Sequence, residues 1–248
     1  MHPVNFYSEN YMIALIDCRA SKTSHTSLQK CGFDTFLIPP SPLLQAGVAS
    51  HTDMLIFIGF GRLFCHASYH ESNKNLIEYI AQKGNLNLSL SSEEWSHNYP
   101  HDVLFNACLV GNKLICNKKT VSKNILRTAF ENNCLIIDVP QGYTKCSICV
   151  VSDNAIITAD RSIAKACQNS SMDVLLISEG HVSLPPYSFG FVGGTSGLCG
   201  DTVFFCGSLE KHPDATKIKA FCQKYGKQTF SLSDDTLLDI GSILFIGE

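Results

Sequence analysis

The chain of 248 residues is 45% hydrophobic and 17% charged, with a formal net charge of −3. That balance supports a buried core and leaves no basic footprint, which excludes an electrostatic nucleic-acid binder. No apolar run reaches the roughly 18 residues of a membrane span. The opening stretch, Met1–Asn10, lacks a basic segment followed by an apolar core, so the expected setting is cytoplasmic. The 12 cysteines are then reduced thiols. Most sit in apolar runs such as Leu63-Phe-Cys65 and Phe204-Phe-Cys206, where cysteine acts as a small hydrophobe.

In chain order, Met12–Ile16 predicts a strand, Thr23–Cys31 a helix and Phe36–Ile38 a second strand. A polar knot, His51-Thr-Asp53, then leads into the strand Met54–Ile58, a turn at Gly59–Gly61 and the strand Leu63–Cys65. A helix over Asn75–Ala81 stops near Gly84, before the strand Leu86–Leu90. The pattern starts again at His101-Asp102: strand Val103–Val110, the hairpin signal Gly111-Asn112, strand Lys113–Cys116, helix Ser122–Phe130, strand Cys134–Ile137. A third round runs from Lys145-Cys146 through a turn at Asp153-Asn154, the strand Ala155–Thr158, the helix Ser162–Cys167 and the strand Val174–Ile177. The fourth starts near Gly193-Gly194, turns at Gly200-Asp201, and continues through Thr202–Cys206, Lys217–Tyr225 and Gln228–Leu232. The run Asp239–Ile246 supplies one more first strand, whose missing partners are the elements at the N-terminus.

Repeats of this length point to a ring or array. The expected organisation is a single domain over 1–248, an α/β propeller of ββαβ units with pseudo-five-fold symmetry. Its repeats fall at about 51–92, 101–140, 145–180 and 190–235, with the fifth made of 236–248 joined to 11–42. Pairing of the N- and C-terminal strands closes the ring. On pattern alone, an ordinary α/β domain with accidental periodicity is the alternative. The loops 39–50, 91–100 and 180–190 are surface connectors or lids.

A ring of five ββαβ units closed by the termini resembles the pentein fold of the guanidino-group-modifying enzymes. Gln141-Gly-Tyr-Thr-Lys-Cys-Ser147, Gly193-Gly-Thr-Ser-Gly197 and Asp239-Ile-Gly-Ser242 look like an uncharacterised bacterial family assigned that fold. The resemblance implies a cysteine nucleophile, a histidine in an H-x-D element before an apolar strand, and acidic residues holding a guanidinium. His51-Thr-Asp53 matches the H-x-D element, whereas the last repeat carries no cysteine where the family places its nucleophile.

Counting back about eight residues from each turn gives Asp53, Asp102, Cys146, Gly193 and Asp239 as matching positions facing one axis. Clustered carboxylates beside a thiol favour a small cationic partner. Cys146 is the candidate nucleophile, with Lys145 or a histidine lowering its pKa and His51 or His101 moving protons. Asp53 and Asp102 would orient the imidazole or hold the cation, with Asp239 in the same substrate-binding set; Gly193 and Gly194 would let the ligand approach the backbone, and Gln141 would sit at the same mouth. The bland reading is that Cys146 is one more buried thiol and that the His-Asp pairs cap turns. Cys108 and Cys199 are weaker thiol candidates. His66, His70 and His97 read as surface or loop residues, His212 as a helix start, and His181 as part of a loop over the pocket. A zinc site at Cys146-Ser-Ile-Cys149 is disfavoured, because no second CxxC or Cys/His pair accompanies it.

The leading expectation is a cysteine-dependent hydrolase or transferase of a guanidine or amidine, using no cofactor and no metal. The alternative is a non-catalytic small-molecule-binding or structural propeller. A third arrangement has Asp53, Asp102, Asp239 and a histidine holding a divalent ion. The partner that this reading implies is a small cationic molecule.

Overall fold

The computed structural model describes residues 12–247. The outermost positions of the fifth expected repeat, and the Met1–Asn10 stretch, lie outside them. The elements in order are β1 (Ile13–Asp17), α1 (Lys22–Lys30), β2 (Asp34–Ile38), α2 (Thr52–Leu55), β3 (Ile56–Gly59) and β4 (Arg62–His66). Next come α3 (Ala67–Ser72), α4 (Lys74–Lys83), β5 (Asn87–Ser91), β6 (Cys108–Val110), β7 (Lys113–Cys116), α5 (Lys123–Glu131) and β8 (Leu135–Asp138). The chain continues with α6 (Thr144–Ser147), β9 (Cys149–Ser152), β10 (Ala155–Thr158), α7 (Arg161–Asn169) and β11 (Asp173–Leu176). It ends with β12 (Ser196–Cys199), β13 (Thr202–Phe205), α8 (Ala215–Lys224), β14 (Gln228–Ser231) and β15 (Leu244–Ile246).

These strands form five three-stranded sheets, ordered β3-β4-β5, β6-β7-β8, β9-β10-β11, β12-β13-β14 and, fifth, β15-β1-β2. In each sheet the first pair is antiparallel and the second parallel, with a helix making the crossover. A parallel pair needs such a crossover, whereas two residues suffice for the antiparallel hairpin. Phe60-Gly61 is one of these hairpin turns, both residues at positive φ (57° and 67°), which suits the twist of the flanking strands. In the fifth sheet the chain ends replace the turn: β1 and β15 pair antiparallel, with Ile13 opposite Ile246 and Leu15 opposite Leu244.

Side chains cap several of the helix starts. Ser21 caps α1, Ser122 caps α5, and the Asp160 carboxylate accepts from the backbone of Ser162 and Ile163 at the head of α7. The α5 stripe Ile125, Thr128 and Ala129 faces inward at helical spacing. Each sheet's first two strands are largely buried and its third strand forms a more exposed rim. Phe33, Phe204 and Phe245 pack ring on ring, centroids 4.8–5.4 Å apart, and fasten the sheet of joined termini to its neighbour. The inner strands β3, β6, β9, β12 and β15 together line an axial cavity of about 300 Å³.

Two expectations change here. Val103–Val110 is not one strand: Val103–Ala107 forms turns and only Cys108–Val110 pairs, which shifts the register of that repeat. The stretch Cys146-Ser-Ile-Cys149 reads from sequence as a strand-like run, but Cys146 sits in the one-turn helix α6, ahead of β9. No helix among the described residues is long and apolar enough to cross a membrane.

Candidate active site

Three inner strands are each preceded by a single helical turn: α2 before β3, α6 before β9, and Gly193–Thr195 before β12. The turn ends the strand at the axis and points its first residues into a common space. By this device Asp53 and Cys146, 93 residues apart, come together: the Cys146 thiol donates to Asp53 Oδ1 at 3.1 Å and faces Oδ2 at 3.2 Å. In the second sheet Asn106 occupies the matching place. Its Nδ2 lies 3.1 Å from both Asp53 Oδ1 and Cys146 Sγ, and its Oδ1 accepts from the backbone N–H groups of Lys145 and Cys146. From the fifth sheet Ser242 donates to Asp53 Oδ2 at 2.6 Å.

His51 caps the start of α2, buried, and neither ring nitrogen has a hydrogen-bond partner. Nδ1 is 3.8 Å from Asp239 Oδ1 and Nε2 is 4.0 Å from Asp17 Oδ2. Asp239 is held from behind by the backbone N–H groups of Phe191 and Gly241. Gly241, at φ 65°, packs flat on His51, where a Cβ would overlap the histidine side chain. Donor atoms of His51, Cys146 and Asp239 lie within 4.8 Å of one another. Imidazole, thiolate and carboxylate are a donor set that suits zinc.

Burial pushes the Cys146 thiol well above its usual range, and the carboxylates of Asp53 and Asp239 add to the rise. Burial likewise raises Asp239, with Asp53 contributing and His51 opposing. The resting site therefore holds a protonated thiol. A cation arriving beside these carboxylates would reverse part of that rise.

Above the cluster opens a cavity of about 440 Å³. Its floor is His51, Cys146 and Asp239; its walls include Met54, Tyr143, Tyr187, Phe189 and Phe191. The loop 39–50 supplies Gln45 and Val48, and the loop 180–190 supplies Leu184, Tyr187, Ser188 and Phe189. The Tyr187 hydroxyl donates to Gln45 Oε1 at 2.7 Å, joining the two loops across the mouth. The loop 91–100 takes no part in this cavity.

Of the residues singled out from sequence, Cys146, His51, Asp53 and Asp239 converge. Others do not join them. Lys145 turns to the opposite side, lining the axial cavity and donating to Ser242 Oγ at 2.9 Å, so it is not the group that sets the thiol. His101 is half-exposed beside Glu94. Asp102 is buried, pushed up by desolvation, and accepts from the Tyr143 hydroxyl at 2.6 Å, one residue removed from the cavity. Gln141 braces the Tyr143 backbone and Asp160 at a separate cavity of about 270 Å³. Gly193 and Gly194 leave no room for a ligand: a Cβ on Gly193 would strike the backbone around Lys145 and Ile148, and one on Gly194 the Asp239 carboxylate. Their smallness serves close packing.

His181 faces His212 at that separate cavity, ring centroids 5.4 Å apart. Cys108 is enclosed on β6, pushed to about 12 by burial, and Cys199 to about 11. Sequence reasoning missed Asn106 and Ser242. The available signal was a lone amide inside the apolar run Val103–Val110, a poor place for an unpartnered polar group.

A protein-family model described as "Family of unknown function (DUF6873)" matches residues 15–244. No curated protein sequence gives a significant match. Among solved structures, DDAH from Pseudomonas aeruginosa, a cysteine-to-serine mutant complexed with citrulline, superposes with a TM-score of 0.58 at 10% identity. The alignment covers 92% of this chain and 93% of that one. The N-terminal domain of ArgZ, a cyanobacterial arginine dihydrolase bound to substrate, gives 0.57 at 7% identity, covering 91% and 92%. Agmatine deiminase from C. jejuni gives 0.56 at 7% identity, covering 98% of both chains. At these identities the likeness establishes the pentein fold.

Proposed function

Since the chain belongs to DUF6873, a family of unknown function, and has the pentein fold, we propose that it is a cysteine-dependent hydrolase or transferase of a small cationic guanidine or amidine. The observation that carries this reading is the Cys146 thiol, held against Asp53 and within 4.8 Å of His51 at the floor of a closed-ended cavity. Solved relatives of the fold include an amidinotransferase and proteins named for agmatine and arginine. Their nucleophile is expected in the last repeat, where this chain has Asp239 and Ser242. Because five matching positions face one axis, a thiol from the third sheet reaches the same cup.

The chemistry follows from the groups present. An amidinium bound against Asp239 on the cavity floor offsets one of the two carboxylates that raise the thiol, so Cys146 loses its proton to His51. The sulfur forms a bond to the central carbon. The C–N bond breaks, and the departing amine takes the proton from His51. The remaining thiouronium or thioimidate is attacked by water, or by an acceptor amine in a transferase. That nucleophile gives its proton to His51, the C–S bond breaks, and the thiol is re-formed with the same proton. Asn106 would fix the sulfur and the α6 backbone, acting as a positioning residue.

Release of ammonia or amine from a panel of guanidines and amidines tests the proposal. Turnover by the native chain and its loss in Cys146→Ser is expected; unchanged turnover in the variant removes the reading, and binding without turnover favours a non-catalytic propeller.

A second reading rests on the two unpartnered nitrogens of buried His51: with Cys146 and Asp239 they would hold a divalent ion of the zinc type. This trio replaces the expected set of Asp53, Asp102, Asp239 and a histidine, since Asp53 is engaged by Cys146, Asn106 and Ser242, and Asp102 by Tyr143. Elemental analysis of purified protein separates the two: stoichiometric zinc removed together with a change in thiol reactivity supports the ion, and a metal-free, reactive protein rejects it.

A further inference from the structure

We infer that the substrate of this site is a guanidine or amidine with an apolar or aromatic tail and no carboxylate; the inference rests on the proposed cationic head group. The floor of the cavity is acidic, and everything above it is neutral. Among the described residues lining the cavity there is no lysine or arginine. Two basic side chains lie near the floor, and both are engaged elsewhere. Arg19 forks onto Asp17 and the carbonyls of Ala46 and Gly47, and Lys145 faces the axial cavity. An amino-acid carboxylate in this cavity would lose its water and find aromatic rings and Asp239 instead of a cation.

The walls suit the opposite kind of tail. Tyr143 and Phe191 stack nearly parallel, centroids 6.3 Å apart at 22°. Tyr187 and Phe189 keep 39% and 41% of their surface exposed, at a cavity large enough for a small ligand. Aromatic faces left bare beside a carboxylate floor accept a flat cation and an aryl or alkyl extension together. The polar groups at the mouth, Gln45 and Tyr187, are uncharged and bonded to each other. They offer a hydroxyl or amide contact, not an ion pair.

Calorimetry on the Cys146→Ser variant, which cannot turn a probe over, tests this with phenethylguanidine, L-arginine and neutral phenethylurea. The expected result is binding of phenethylguanidine at least ten-fold tighter than L-arginine, with that margin lost in the added Phe189→Ala change. Equal or tighter binding of L-arginine overturns the inference and leaves the cationic reading intact. Equal binding of phenethylurea and phenethylguanidine overturns the cationic reading and leaves the apolar tail. Failure of all three probes to bind overturns the inference.

Discussion

The side-chain amide of Asn106 touches the Cys146 sulfur at 3.1 Å while its carbonyl oxygen holds the Lys145 backbone N–H at 2.7 Å. One residue thus fixes both the reactive atom and the helical turn that carries it. Replacing it with alanine leaves Asp53 and two backbone donors short of a partner in a buried place. Asn106→Ala is expected to lower stability by about 1–3 kcal/mol. It should cut turnover further than the fold loss explains, because the sulfur is no longer aimed. Denaturant titration and activity measured on the still-folded fraction check the two effects separately; full activity with unchanged stability would contradict the role.

The resting thiol is raised first by burial and then by Asp53 and Asp239. Alkylation of Cys146 by iodoacetamide should therefore be slow at neutral pH and climb through the alkaline range. In Asp53→Asn one raising charge is gone, so the climb shifts to lower pH. Peptide mapping of the alkylated protein at stepped pH reads this directly.

Gly194 sits where a Cβ would meet the Asp239 carboxylate, whereas Gly226, at φ 68°, has open space around it. Gly226→Ala meets only backbone strain and should cost about 1–2 kcal/mol. Gly194→Ala must displace a buried carboxylate as well and should cost more, with loss of activity. Thermal unfolding of the two variants side by side gives the comparison.

Asp17 combines opposing effects: burial pushes its carboxyl up, but hydrogen bonds from Arg19 and Ser50 outweigh it and hold the group below its usual value. A carboxyl lowered in the folded state stabilises above its unfolded pKa, and that contribution fades as pH falls through the folded value. Wild type should lose stability over that acid range more steeply than Asp17→Asn. Parallel slopes in acid denaturation would contradict the assignment.

Much of the ring was legible because strand, turn and crossover helix each leave a local mark. Gly111-Asn112 and Asp153-Asn154 mark two of the hairpins, and the lone strand Leu244–Ile246 finds its partners at the other end of the chain. The short helical turns were not legible. Thr52–Leu55 and Thr144–Ser147 are four residues each, too brief for a periodic signal, so Met54-Leu55 and Cys146-Ser147 read from sequence as parts of the strands that follow. For Asp53 and Cys146 that error was harmless, since the turn still precedes the strand. In the second repeat the extra turns between Asp102 and Asn106 moved the axial place by four residues, so Asp102 was named where Asn106 stands. The direction of Lys145 was equally hidden, because a one-turn helix points neighbouring side chains to opposite ends of the axis.

The central claim is that Cys146, among 12 free cysteines, is the thiol that meets a cationic carbon. Mass spectrometry after brief treatment with chloroacetamidine, with neutral chloroacetamide in parallel, tests it most directly. The account predicts one adduct, on Cys146, formed faster by the cationic reagent and suppressed by phenethylguanidine. Adducts spread over other cysteines, or equal labelling by the neutral reagent, would contradict it.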